Sequence, residues 1–377
     1  MHPISFINLA AQQEQIKAGL DAGIKRVLEH GQYILGPEVS ELEEKLSLRT
    51  GAAHTITCAN GTDALSLLLM AKNIGRNDAV FVPSFTYAAT AEVVAHCGAT
   101  PIFVDVLEDT FNMSPDSLRD AIITSQKLGL TPKGMIPVDL FGLPANYAAL
   151  NNIAQENGLW MIADAAQSFG GKIGEKHIGA LCEMSTTSFF PAKPLGCYGD
   201  GGAIFLNSND AQMNHTLRSL RAHGTGASRY DYIHIGINSR LDTLQAAILL
   251  EKLKIFDEEY KRRVEVADFY AQHLKNIIHT PIVPENYTHA WALYSVRCDK
   301  DQRAPLLELF KKEHIPYMIY YEKPLHLQAA YSCFPQTQSE LKVTEKLSQE
   351  IISIPMHPYL TDEQLHFIVD VIRHGMQ

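Results

Sequence analysis

The chain has 377 residues, enough for two or three domains, and its 46% hydrophobic and 20% charged residues are ordinary for a globular protein. A formal net charge of −10 argues against nucleic acid or an anionic membrane as main partner, since both call for a basic surface. No apolar run is long enough to cross a bilayer, and MHPISFINLAAQQEQIKAGL lacks the basic start and apolar core of a secretory signal.

The six cysteines (Cys58, Cys97, Cys182, Cys197, Cys298 and Cys333) form no C-x-x-C pair and no close ligand cluster, so they read as reduced residues of a cytoplasmic protein without a metal site. The sequence shows no internal repeat and no low-complexity tract.

In chain order, residues 8–30 predict a helix running into the turn HGQYILGPE. Short β-rich runs then alternate with helical stretches: HTITCA (54–59), AVFVP (79–83), PIFVD (101–105), GMIPVD (134–139) and LWMIAD (159–164). STTSFF (185–190) and GAIFLN (202–207) lie closer together and are expected to pair directly. This alternation predicts an α/β architecture with a mostly parallel central sheet. A long amphipathic stretch from about Leu241 into the 270s predicts a helix. Beyond it, ALYSVRC (292–298), a helix around 302–314, IPYMIYY (315–321) and a last helix from about Thr361 read as a smaller α+β domain. The division falls near residue 250, giving a large domain over 1–250 and a small one over 251–377.

Open α/β sheets bind ligands beyond the carboxyl ends of their strands, and the candidate residues lie there. Asn60, Gly61, Thr62 and Asp63 follow one strand and open a helix, where free N–H groups and a hydroxyl suit a phosphate; a plain N-cap is the alternative. Ser84, Phe85, Thr86 and Tyr87 follow the next strand, and an aromatic there can equally pad the core. Asp164 ends LWMIA: a carboxylate there needs a cation or donors, or it caps a helix. Lys193 stands alone among aromatics, prolines and glycines in SFFPAKPLGCYGDGGA. A lysine in a partly dry pocket can lose its proton and condense with a carbonyl compound. An amine, an acid, an aromatic plate and a phosphate cradle together suit pyridoxal 5′-phosphate.

The motifs GQYILGPEV, ANGTDAL, SFTYAATAE, ADAAQSFGG, TSFFPAKPLGCYGDGGAIF and NSRLDTLQAAIL extend this reading. With them the chain resembles, over nearly its whole length, the DegT–DnrJ–StrS sugar-nucleotide aminotransferases, a fold-type I (aspartate aminotransferase-like) pyridoxal phosphate family. Within that family the set most resembles aminotransferases acting on UDP-2-acetamido-2-deoxy-3-oxo-D-glucuronate, which serve bacterial surface-polysaccharide (O-antigen) pathways. The resemblance implies that Lys193 forms the Schiff base and that Asp164 holds the ring nitrogen protonated. It implies that Gln167 meets the ring hydroxyl, that Tyr87 stacks on the ring, and that Gly61, Thr62 and Ser188 hold the phosphate. Asn238 would reach that phosphate across a homodimer. L-Glutamate is the implied amino donor and a 3-keto nucleotide sugar the acceptor. dTDP-3-keto-6-deoxyhexoses or UDP-4-keto sugars are the alternative acceptors, and a non-catalytic regulator is the alternative role.

Arg240 is a candidate partner for a uronate carboxylate or a member of a structural ion pair. In MIYYEKPLHLQ (318–328) Tyr320, Tyr321 and Glu322 depart from the family's usual His-Tyr-Pro. Tyr320 and His326 are candidate sugar contacts, with a packed or solvated histidine as the other reading of His326. His223, in RAHG, either caps a helix or lines the site. The basic run KRRVEV (261–266) reads as a solvated helix face.

Overall fold

The computed structural model describes residues 3–208, 210–228 and 230–377. Seven strands, β1 (His54–Cys58), β2 (Asp78–Pro83), β3 (Thr100–Val104), β4 (Thr131–Met135), β5 (Trp160–Asp164), β6 (Met184–Ser188) and β7 (Gly202–Leu206), form one sheet in the order β1-β7-β6-β5-β4-β2-β3. All neighbours are parallel except β7, which runs antiparallel to both β1 and β6. Helices cover both faces, so the strands read as short apolar runs; Val80, Phe81, Val82 and Ile162 are fully buried. β6 is the exception, a polar strand at the centre. Its buried hydroxyls are satisfied locally: Ser185 donates to Ile178 O (3.0 Å), Thr186 to Ala163 O (3.3 Å) and Thr187 to Ala165 O (3.3 Å). Gly134 interrupts β4 because a side chain there would overlap the Trp160 ring on the adjacent strand.

The expected helix at the N-terminus is Leu9–His30, which ends at Gly31 in a left-handed conformation (φ 69°). It packs Ile16 and Leu20 against Ile248 of the long helix Thr243–Leu274. The first half of that helix gives Leu249, Leu250 and Phe256 to a core shared with Leu42, Phe169 and Phe205. Its second half gives Val266, Ala267, Tyr270 and Leu274 to a core shared with Tyr294, Val296, Ile352 and Ile368. The helix therefore passes from one core to the other between Phe256 and Val266.

The C-terminal core is built on two antiparallel strands, β8 (Tyr294–Arg297) and β9 (Ile351–Ile354), with helices Lys300–Lys312 and Asp362–Gly375. The last helix begins with a capping box between Thr361 and Gln364. The run 315–321 forms no strand of its own: it touches β9 through a single bridge, Met318 to Ser353, and then sets Tyr320 and Tyr321 against the cluster around Phe85, while Tyr317 stays against Phe310. The solvated face expected for KRRVEV is corrected at Arg263, which is 7% exposed. The helix is flanked on more than one side there, by the loop after β6 and by residues 356–359. Among the described residues no helix is long and apolar enough to cross a membrane.

Candidate active site

The carboxyl end of β5 places Asp164 at the bottom of the site, 6% exposed. Thr90, in the first turn of helix Ala89–His96, donates its hydroxyl to Asp164 Oδ2 at 2.9 Å. The backbone N–H of Ala166 reaches Oδ1 at 3.3 Å. Burial raises the Asp164 carboxyl above the usual range, while these two donors and the Lys193 charge pull it back. Two donors leave much of a carboxylate's capacity unused, so the site favours a further positively charged N–H.

Lys193 lies on the loop that joins β6 to β7. Phe189 N–H donates to Gly201 O (2.7 Å) and Cys197 N–H to Phe189 O (2.7 Å), closing the loop at its base. Lys193 N–H donates to Phe190 O at 2.9 Å. Gly196 is required by the tight turn, since a Cβ there would sit 2.5 Å from Phe190 O and 2.6 Å from Pro191 O. Burial lowers the Lys193 amine below the usual lysine range, and the Asp164 charge opposes this. The two groups sense each other, so the structure brings together the amine and the acid singled out in the sequence.

Gly61 and Thr62 open helix Gly61–Ala71 directly above the end of β6, and Asn60 caps it by accepting from Asp63 N–H at 2.7 Å. A Cβ on Gly61 would lie 2.9 Å from Ser188 Cβ, so only glycine lets this helix start close on Ser188. Ser188 Oγ also accepts from Phe190 N–H (3.2 Å). The helix start and the hydroxyl thus share one corner, an anion-binding arrangement.

Gln167 Oε1 accepts from Phe141 N–H at 2.5 Å. The Tyr321 hydroxyl hydrogen-bonds with the Gln167 side chain, and its ring meets Phe85 edge-on at 6.0 Å. Burial, and then the nearby Asp164 charge, push the Tyr321 phenol well above the usual tyrosine range. Tyr87 lies near Tyr321 and is 63% exposed, high for a large aromatic side chain. Tyr320 is half-buried, its ring 5.7 Å from that of Tyr321. His326 is turned into the wall: Nδ1 pairs with the Ser84 hydroxyl (2.7 Å) and Nε2 with Glu345 (3.3 Å).

Asn238 and Arg240 are linked to each other, Arg240 Nη2 donating to Asn238 Oδ1 at 2.7 Å. Within one chain they line a separate open cavity of about 550 Å³ with Ile34, Ala59, Gly199 and Asp200. His223 adopts a left-handed conformation (φ 63°), its N–H donating to Ile237 O (2.9 Å) in the turn after helix Ala211–Leu220. Thr90 and Tyr321 are the site residues that sequence reasoning passed over. Thr90 falls one helical turn after Tyr87, and Tyr321 stands in the run that departs from the family pattern. Among the described residues no group of three or more His, Cys, Asp or Glu side chains is placed to hold a metal ion.

This sheet order, with a buried acid at the end of one strand and a lysine on the loop after the next, defines a pyridoxal phosphate-dependent transferase of fold type I. The chain belongs to the DegT/DnrJ/EryC1/StrS aminotransferase family, whose pattern it matches over residues 14–373. It is 46% identical to the UDP-2-acetamido-2-deoxy-3-oxo-D-glucuronate aminotransferase of Pseudomonas aeruginosa, over 97% of this chain and 98% of that one. The crystal structure of a DegT DnrJ EryC1 StrS aminotransferase from Brucella abortus aligns with a TM-score of 0.96 at 50% identity, over 99% of each chain. The structure of ntda from Bacillus subtilis with bound cofactor PMP aligns with a TM-score of 0.87 at 26% identity, over 96% of this chain and 82% of that one. The protein is an aminotransferase and its cofactor is pyridoxal phosphate. The partly buried amine, whose proton burial disfavours, the under-paired carboxylate and the anion corner at Gly61 fit that cofactor.

Proposed function

We propose that this enzyme moves the amino group of L-glutamate to the 3-keto carbon of a nucleotide sugar, UDP-2-acetamido-2-deoxy-3-oxo-D-glucuronate. It would do so in the cytoplasm, for a bacterial surface polysaccharide such as O-antigen. The observation that carries the reading is the placement of Lys193, on the loop closed between Phe189 and Cys197, near the buried Asp164 at the end of β5, with burial favouring the neutral amine. The choice of sugar is supported by the 46% identical relative.

The cofactor, when bound, supplies a carbonyl carbon that takes up the amino group and a ring that accepts the electron pair released from the substrate carbon. Lys193 would hold that carbonyl, and its Nζ, when free, would take the proton from the α-carbon of glutamate. In the second half-reaction the same Nζ delivers a proton to C3 of the sugar. Asp164 keeps the ring nitrogen protonated, with Thr90 fixing the carboxylate. Gln167 would meet the ring hydroxyl and Tyr87 would lie against the ring. Gly61, Thr62 and Ser188 hold the phosphate. Asn238 joins them across a homodimer, and Arg240 beside it pairs with the uronate carboxylate. Tyr320 and Tyr321 border the sugar. His326 is placed on the same loop, its ring tied to Ser84 and Glu345.

The test is the visible spectrum of the purified protein with pyridoxal phosphate, followed through additions of glutamate and then of the keto sugar. Bleaching by glutamate and restoration by UDP-2-acetamido-2-deoxy-3-oxo-D-glucuronate is the expected result. Bleaching without restoration overturns the sugar and turns the search to 4-keto and dTDP-linked acceptors. Absence of bleaching overturns glutamate. Arg240→Ala is expected to reduce kcat/KM for the uronate at least tenfold more than for a neutral keto-hexose, since a charged bidentate contact is worth about 1.5–3 kcal/mol. Equal losses on both sugars would remove Arg240 from carboxylate recognition.

A further inference from the structure

We propose that Arg263, locked by Glu259, is a positioning residue for Lys193 and props the lysine loop from behind; the inference rests on the role given to Lys193 above. Arg263 and Glu259 lie one turn apart on helix Thr243–Leu274, are 7% and 4% exposed, and approach to 3.6 Å. Arg263 Nη2 points at the carbonyl of Pro194, the residue after Lys193, at 3.4 Å. Glu259 in turn accepts two contacts from Gln12 Nε2 (2.9 and 3.0 Å) and one from the Tyr359 hydroxyl. The pair therefore joins the N-terminal helix, the long helix, the C-terminal segment and the lysine loop at one buried point.

The loop needs such a prop. Behind it lies a cavity of about 30 Å³ walled by Pro191, Lys193, Pro194, Gln12 and Tyr359, so packing alone does not fix it. A second tie from the long helix, Gln245 to the backbone of Tyr198 (2.8 and 3.2 Å), holds the far limb of the loop. Arg263 holds the limb that carries the lysine. Both contacts are made by Nη2, which lies 3.4 Å from Pro194 O and 3.6 Å from Glu259 Oε2 while Nη1 has no hydrogen-bond partner among the described residues, so one planar edge of the guanidinium reaches the carbonyl and the carboxylate.

A buried ion pair contributes little net stability, so this one is assigned a role in geometry. A misplacement of about 1 Å at a reacting group costs up to ~100-fold in rate.

The experiment compares Arg263→Met, which keeps the stem and removes the fork, and Arg263→Lys, which keeps the charge, with the wild-type enzyme. In the holoenzyme, kcat of the glutamate half-reaction is expected to fall about tenfold or more in Arg263→Met, with KM for glutamate within about twofold. In cofactor-free protein, Lys193 is methylated with formaldehyde and borohydride, and its labelling is measured by peptide mass spectrometry relative to exposed Lys342. That ratio is expected to change at least threefold in Arg263→Met and by an intermediate amount in Arg263→Lys. A pair that served stability alone would lower the unfolding temperature and leave both the ratio and kcat at wild-type values, and that result overturns the proposal. If Arg263→Met does not fold, Arg263→Lys decides: a wild-type labelling ratio and kcat overturn it. Borohydride trapping of the cofactor on wild-type protein separates the two readings. Trapping at a residue other than Lys193 sinks the lysine assignment, whatever Arg263 does.

Discussion

Thr90→Val keeps the outline of the side chain and deletes the hydroxyl that donates to Asp164 at 2.9 Å. Thr90 is fully buried and Asp164 nearly so, and the carboxylate's other donor is the longer contact from Ala166 at 3.3 Å. Burial already raises the Asp164 carboxyl, and the Thr90 hydrogen bond is the strongest influence opposing it, so the substitution pushes the group further toward its neutral acid. A hydrogen bond to a charged group is worth about 1.5–3 kcal/mol, roughly ten- to 150-fold in the balance between the two forms. A neutral acid no longer stabilises a protonated ring nitrogen. The variant should bind pyridoxal phosphate at least about tenfold more weakly and slow the glutamate half-reaction by a similar factor, with KM for glutamate little changed. Titration of cofactor-free protein by visible absorbance gives the first number and stopped-flow bleaching the second. A folded variant within twofold of wild type in both would refute the claim that Thr90 sets the state of Asp164.

Asp139 is a second buried carboxylate, satisfied by Tyr147 and Ser168 (both 2.6 Å) and Ala145 N–H (2.8 Å), and burial pushes it up to about 6 from an ordinary 3.8. Because the folded value is the higher one, its contribution to stability is present below about pH 4 and is lost as pH rises through about 6. Asp139→Asn carries no such charge, so its stability relative to wild type should climb between pH 4 and pH 7 by at most ~3 kcal/mol in urea unfolding. A constant difference across that range contradicts the shift. Gly61→Ala forces a Cβ to within 2.9 Å of Ser188 Cβ and should weaken cofactor binding about tenfold while moving the unfolding temperature by only a few degrees. Unchanged affinity in calorimetric titration would detach Gly61 from the phosphate corner.

Much of this architecture was legible because it is local. Alternating apolar and helical runs announced the parallel strands and their helices, and two polar residues, Asp164 at a strand end and Lys193 in SFFPAKPLGCYGDGGA, stood out against their surroundings. Contacts between distant segments were not legible. Thr90 is one threonine among several in SFTYAATAE, and only the β5 carboxylate opposite it gives it a task. Arg263 looked like one charge in a basic run because the pattern shows a helix face but not what covers it. IPYMIYY has the composition of a strand, yet tertiary packing of Tyr321 against Phe85 draws it away from β9 after one bridge.

The lysine loop, residues 189–201, begins and ends at the same rung of the sheet, because Ser188 and Gly202 are register partners. Such a loop is cheap to lengthen: doubling it adds only ~0.6 kcal/mol of closure entropy. Its length is therefore a matter of reach and not of stability. Extra residues inserted between Phe190 and Lys193, in the limb that carries the amine, should leave the pairing of Ser188 with Gly202 intact and move the amine away from Asp164. The segment works as a ruler laid across the sheet, and the ruler can be miscut without weakening the frame that holds it.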